Sequence, residues 1–224
     1  MRGKASNDDE LFVTGLAKQL GVSVYTKRFD TISYSQKHNI STQMAARELR
    51  YNWFDKLLKD KNYNHIVTAH HKNDNVETVL LNLVRGTGHK GLKGILPVNN
   101  HIVRPLLPFT KKEILEFATS NNIVWRDDAS NQENKYKRNL IRNEIIPLFE
   151  KMNPNFIQTF SENIEKFKEE SILIDSNYNI TKNKVRFEDI KNATSPLLFI
   201  WSWIEKFGFT FSNAKDILNA LSSE

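Results

Sequence analysis

Between residues 65 and 83 the hydrophobic pattern changes period, and such a change demands a strand that runs straight into a helix. His65-Ile66-Val67-Thr68-Ala69 is a short β-branched run that reads as a buried strand. From Asp74 onward Val76, Val79, Leu80 and Leu83 recur at three and four residues, which is one face of a helix. In open α/β sheets, ligands bind outside the carboxyl ends of the strands. The residues at that end include His70, His71, Asp74 and Glu77, two imidazoles in the connecting loop and two carboxylates on the first helical turn. No other segment concentrates acid/base and metal-binding groups in this way.

Asp74 and Glu77, three residues apart, fit two uses. Each side chain can satisfy an orphan backbone N–H in a capping arrangement. The pair can also hold Mg²⁺ together with substrate phosphates, since that ion takes one or two protein carboxylates and keeps its waters. The two uses are compatible. A zinc site is disfavoured, because adjacent histidines do not easily point at one ion and the chain has no cysteine to complete a tetrahedron. Downstream, Gly86-Thr87-Gly88-His89-Lys90-Gly91 matches the dinucleotide-binding spacing. That fingerprint follows a strand and opens a helix, whereas this one follows a helix. Gly86 is expected instead as the left-handed residue that ends the helix.

The rest of the chain alternates helical and strand patterns. A helix from near Asn7, with Asp8, Asp9 and Glu10 in its first turn, ends before Gly21, and a strand is expected at Val22-Ser23-Val24-Tyr25-Thr26. Ser41 or Thr42 caps a long helix to about Asp60 that carries Met44, Leu49, Trp53 and Leu57. This helix–strand–helix–strand rhythm predicts an α/β fold with a parallel sheet. Next come a strand-like His101-Ile102-Val103-Arg104, a helix capped by Thr110 with Glu113 three residues later, and a helix over about Tyr136 to Glu150. From Met152-Asn153-Pro154 the character changes. Helices are expected over about 155–175 and 196–222, with a weak strand at Lys184-Val185-Arg186-Phe187, so a domain boundary is placed near residue 152.

With 224 residues, 39% of them hydrophobic and 26% charged, the chain is expected to fold around packed cores. No stretch approaches the roughly 20 apolar residues of a membrane span, and residues 1–10 are polar, so a cytoplasmic location with no membrane partner is expected. Zero cysteines exclude disulfides, thiol nucleophiles and cysteine-held iron–sulfur clusters. A net charge of +6 suggests a polyanionic partner where the positive charge clusters. It clusters twice. Arg47 and Arg50 lie three apart beside Tyr51, and Lys135, Lys137, Arg138 and Arg142 crowd one helix start. Arg138 and Arg142 share a helical face bordering Ile141, Ile145 and Leu148, where half-sheltered guanidinium groups bind phosphate well. They could equally pair with Asp127, Asp128 or Glu144.

Six motifs occur in one order: Ala69-His70-His71-x-x-Asp74-x-x-Glu77-Thr78, Arg85-Gly86-Thr87-Gly88, Gly91-Leu92-x-Gly94, Arg104-Pro105-Leu106, Asp128-x-Ser130-Asn131 and Arg138-Asn139-x-Ile141-Arg142. Together they resemble the tRNA(Ile)-lysidine synthetases, over most of residues 1 to about 150. Ala46-Arg47-Glu48-Leu49-Arg50-Tyr51 is similar to another element of that family, and Arg2-Gly3 with Asp9-Glu10 to the end of the strand and the helix after its nucleotide-binding unit. The resemblance implies an incomplete doubly wound parallel sheet of the PP-loop type over 1–151, followed by a small, mainly helical tRNA-side domain over 152–224.

It also implies an activity. ATP, with Mg²⁺, adenylates the C2 oxygen of the wobble cytidine of an isoleucine tRNA bearing a CAU anticodon, and the ε-amine of free L-lysine then displaces AMP to give lysidine, so that AUA is decoded. By resemblance His70, Asp74, Glu77, Arg47 and Arg50 are catalytic or lysine-site residues, Asp74 is the Mg²⁺ ligand, and Arg138 and Arg142 contact the tRNA. A homodimer is compatible with this picture. The chain departs from the family's pattern at Asn73, often Asp, and in lacking the Ser-Gly-Gly-x-Asp-Ser loop that cradles ATP phosphates. Met1 falls downstream of where that loop belongs, so the resemblance implies an N-terminally truncated unit that alone binds ATP weakly. The C-terminal end also stops short of a domain many members carry. Two alternatives are a catalytically inactive tRNA-binding remnant and another PP-loop tRNA-modifying enzyme, cysteine-dependent thiolases being excluded.

Overall fold

The computed structural model describes residues 3–126, 137–178, 180 and 184–221. The Asp128-x-Ser130-Asn131 motif, Asp127 and Lys135 lie outside them. Two compact units interleave along the chain: Met1–Asp74 with Leu96–Asn143, and Asn75–Ile95 with Glu144–Glu224.

The first unit opens with α1 (Gly3–Gln19), α2 (Thr31–His38) and α3 (Thr42–Lys61). Asp30 accepts the Ser33 N–H and Ser41 accepts the Met44 N–H, so α2 and α3 each begin on a side-chain cap. Both end on an asparagine in the left-handed region, Asn39 at φ 51° and Asn62 at φ 55°, a conformation asparagine tolerates better than most residues. Strand β1 (Ile66–Val67) leads into α4 (Lys72–Arg85), and the division between the units falls inside that helix.

After α4 come α5 (His89–Leu92), β2 (Val98–Asn99) and β3 (Ile102–Val103). The sheet has the order β1-β3-β2: β1 is parallel to β3 with Ile66 opposite Ile102, and β2 is antiparallel to β3 with Asn99 opposite Ile102. The fold is therefore the expected α/β class, in a mostly helical form with a small sheet. The expected strand over 22–26 is not formed. Among the described residues no strand pairs with it, and Val22 is 57% exposed, so its backbone groups have no ladder to join. The unit continues with α6 (Lys111–Ser120), on the Thr110/Glu113 capping box, and α7 (Lys137–Leu140).

A π-helical turn, Ile141–Ile145, joins α7 to α8 (Ile146–Met152). Pro147 sits in the first turn of α8 and lacks the N–H that would continue a regular ladder, which accounts for the break in the single helix expected here. In the second unit α9 (Phe156–Asn177) buries Ile157, Ile164 and Ser171, one residue per two turns. The last elements are α10 (Phe187–Lys191), α11 (Pro196–Ile204), a 3₁₀ turn (Glu205–Phe207) and α12 (Phe211–Leu221). Ile190, Ile200, Ile204 and Ala214 form their shared core.

Two further expectations are corrected in this unit. The weak strand at residues 184–187 is absent: Val185 packs against that helical core instead, and Phe187 starts α10. The single helix over 196–222 breaks at Gly208, whose φ of 85° no helix accepts. Gly86, with φ 78°, ends α4 as expected. Among the described residues no helix is long and apolar enough to cross a membrane.

Candidate active site

The carboxyl end of β1 is held by β3: the Thr68 N–H donates to the Val103 carbonyl at 3.0 Å, which sets Thr68 to His70 beside Arg104. The Thr68 hydroxyl and His70 Nδ1 are 2.9 Å apart, and this contact fixes the ring. In the tautomer that donates from Nδ1, Nε2 is left as a proton acceptor. Burial pushes the His70 imidazolium pKa below its ordinary value. The Asp74 carboxylate opposes this, while the charges of Arg104, Arg138 and Arg47 add to the depression. His70 is therefore a neutral imidazole at neutral pH.

Helix α4 starts on a reciprocal cap between His71 and Asp74. The His71 N–H donates to Asp74 Oδ2 at 3.0 Å, and the Asp74 N–H points at His71 Nδ1 at 3.4 Å. Asp74 thus caps, as its position suggested, with His71 as its partner. Its other oxygen, Oδ1, accepts from Arg138 Nη2 at 3.2 Å and Arg142 Nη2 at 3.3 Å, and Arg138 Nη2 also donates to the Asp74 carbonyl at 3.0 Å. Asp74 is one of the partners the sequence left unnamed for these arginines. With side chains 36% and 27% exposed, they are sheltered enough for the charge pairing to count, and open enough to meet a ligand.

Asn73, which departs from the family's common Asp, has a structural role, because its Oδ1 accepts the Lys111 N–H at 2.9 Å and so ties the start of α4 to the start of α6. Arg104 was not singled out as a site residue. It is 7% exposed, donates from Nη1 to the Leu96 carbonyl at 2.6 Å, and its Nε has no hydrogen-bond partner. Burying a guanidinium is costly unless something binds it. The legible signal was a lone arginine between Val103 and Pro105 at a strand end.

The unit therefore brings His70, Asp74, Arg138 and Arg142 together, with the charge of Arg47 felt at His70. Arg47 also lies with its guanidinium carbon 4.9 Å from the Tyr51 ring centroid. Arg50 stands exposed on α3, and Glu77 belongs to the other compact unit, where it is 1% exposed. The expected Mg²⁺ ligand is poorly suited to a metal. Both Asp74 oxygens already accept hydrogen bonds, from His71, Arg138 and Arg142. A neutral imidazole beside one carboxylate and several guanidinium groups can accept a proton and neutralise phosphate charge.

Residues 1–149 match the family described as the PP-loop domain, and the chain belongs to that family. Its relatives include a protein of Bacteroides thetaiotaomicron named tRNA(Ile)-lysidine synthase, 35% identical over 100% of this chain and 54% of that protein. Proteins of the same name from Chlorobaculum tepidum and Thermosipho africanus are 43% and 44% identical, over 75% and 72% of this chain and 52% and 38% of theirs. The chain spans about half the length of the first curated relatives it matches.

Proposed function

We propose that this chain carries the lysine-transfer site of a tRNA(Ile)-lysidine synthase. Residues 1–151 act as the PP-loop catalytic domain and residues 152–224 as a mainly helical tRNA-side domain. ATP adenylates the C2 oxygen of the wobble cytidine, releasing pyrophosphate. The lysine ε-ammonium loses a proton, its nitrogen bonds to C2, the C2–O bond breaks and AMP leaves. The observation that carries this reading is the neutral His70 set against the Asp74–Arg138–Arg142 cluster at the end of β1, in a chain similar to proteins of that name.

His70 takes the proton from the incoming ammonium, and Asp74 attracts the cationic lysine while holding both arginines. Arg138 and Arg142 face the tRNA phosphates; Arg47 adds positive charge at His70, and Arg50 offers an exposed guanidinium on α3. Mg²⁺ would be held chiefly by the ATP phosphates, because Asp74 is a guanidinium partner. The test is ATP-dependent incorporation of labelled lysine into an isoleucine tRNA with a CAU anticodon, by a polypeptide carrying this chain. Incorporation is expected to vanish when the wobble cytidine is replaced by uridine. Equal incorporation into both tRNAs overturns the reading.

A further inference from the structure

The second unit contains a cavity of about 810 Å³ that the reaction above does not use. Its size suits a ligand the size of a nucleotide. One wall is the turn Gly86-Thr87-Gly88-His89, and the opposite walls carry Leu198, Trp201, Phe209 and Phe211. The Trp201 and Phe211 rings meet edge-on, with centroids 5.7 Å apart and planes at 85°. Phe209 and Phe211 remain 53% and 42% exposed, a high value for rings lining a cavity. The Lys215 ammonium lies 5.3 Å from the Phe211 centroid, and Arg85, immediately before the glycine turn, is exposed. Of the nearby acidic groups, Asp175 is held by Lys93 and His89, and Glu205 by Lys90.

We propose that this cavity receives an unstacked nucleobase of the bound RNA, its face against the aromatic walls and its phosphate near Lys215. The proposal rests on the RNA-modifying reading of the chain. Exposed rings interleaved with cations are what single-stranded nucleic acid requires, since every base offers a π-face and carries a phosphate. An apolar helix would be served by the rings alone. The side-chain-free edges at Gly86 and Gly88 leave room for a flat ligand, and the hydroxyl of Ser212, another lining residue, can meet a base edge.

Binding of a labelled single-stranded RNA heptamer, followed by fluorescence anisotropy at fixed salt, tests this. An abasic ribose-phosphate heptamer of equal length is the control. The double variant Phe209→Ala/Phe211→Ala removes two exposed rings, and its fold is checked by circular dichroism. Gly88→Val keeps the rings and adds bulk at a lining residue, since a Cβ there is already in van der Waals contact with Trp201 Nε1 at 3.7 Å. Both variants are expected to bind the base-containing heptamer about 10-fold more weakly, within the range for losing one stacked base, and to bind the abasic heptamer unchanged. Unaltered affinity for the base-containing RNA overturns the pocket and leaves the RNA reading standing. Equal loss on both oligomers also overturns it, because the cavity would then act through phosphate alone. A chain that binds neither oligomer but captures an amphipathic helical peptide overturns it in favour of a protein partner. Lysine transfer, measured separately, reports on the catalytic reading.

Discussion

The two compact units bury different things. Among its described residues the first buries few side chains, Ala17, Ala45, Leu107, Ile141 and the guanidinium of Arg104, while Leu11, Val67 and Val124 stay about 70% exposed. The second buries many more aliphatic side chains, Val76, Val79, Leu80, Ile146, Ile157, Ile164, Ile190, Ile200 and Ile204, together with the polar Asn75, Glu77 and Ser171. A unit with few buried aliphatic side chains has little hydrophobic stabilisation in reserve, and its charged cluster is retained for what it binds. A unit built on aliphatic stripes is sensitive instead to shape and volume. Substitutions in the first should therefore change chemistry more than stability, and those in the second the reverse.

The largest effect falls in the first unit. His70→Ala should reduce lysine transfer by about 10²–10⁴-fold, the usual contribution of a positioned general base, with little change in the thermal midpoint. Asp74→Asn is the sharper partner variant. It keeps an oxygen to accept the His71 N–H and removes the charge shared by Arg138 and Arg142, so transfer and lysine affinity should both fall. Near-normal transfer by Asp74→Asn would reduce Asp74 to a helix cap and erase the contrast between the units.

In the second unit the counterpart is Gly94→Ala. Gly94 has φ 64°, and a Cβ there would meet Asn75 Oδ1 at 2.1 Å and Val79 Cγ2 at 3.1 Å. Asn75 is 5% exposed and uses the same Oδ1 to accept the Ile95 N–H at 2.6 Å, so it has little room to yield. The combined backbone and steric cost is about 2–4 kcal/mol, read as a lowered denaturant midpoint. An unchanged midpoint would show that this turn gives way freely.

What could be read from the sequence follows the range of the interactions. The Thr110/Glu113 box, the left-handed Gly86 and the apolar stripe of α4 depend on neighbours within a few residues, and all three are present. Residues 22–26 have strand propensity, but a strand exists only with a partner, and propensity carries no information about one. Asp74 and its guanidinium partners are 64 and 68 residues apart, so the sequence offered the arginines and several acidic candidates without selecting among them. The end of the long helix, expected near Asp60, falls at Lys61, but the Asn39 end of α2 was missed, because asparagine marks a left-handed residue less strongly than glycine.

A smaller effect with the opposite sign belongs to α9. Ser171 is fully buried and its hydroxyl has no hydrogen-bond partner. Ser171→Ala removes that unsatisfied group and improves helix propensity, so it should stabilise by about 1 kcal/mol. Calorimetric melting checks the sign. A destabilised variant would mean that the hydroxyl fills space the aliphatic stripe needs.

The smallest effect returns to the first unit and concerns pH. His70 has a folded pKa below the ordinary 6.5, chiefly because it is buried, so the unfolded chain takes up a proton at a pH where the folded chain does not. Its stability contribution is therefore intact above 6.5 and lost as the pH falls below that value toward the depressed folded pKa. His70→Gln abolishes the titration while keeping a polar side chain of similar length. Denaturant unfolding of both proteins between about pH 5 and pH 8 should show the native chain losing stability relative to the variant only on the acid side. A difference that stays constant with pH would mean that folding leaves the His70 pKa unshifted, and one that favours the native chain in acid would mean that His70 is already charged near neutrality. It could then not serve as the proton acceptor that sets the first unit apart from the second.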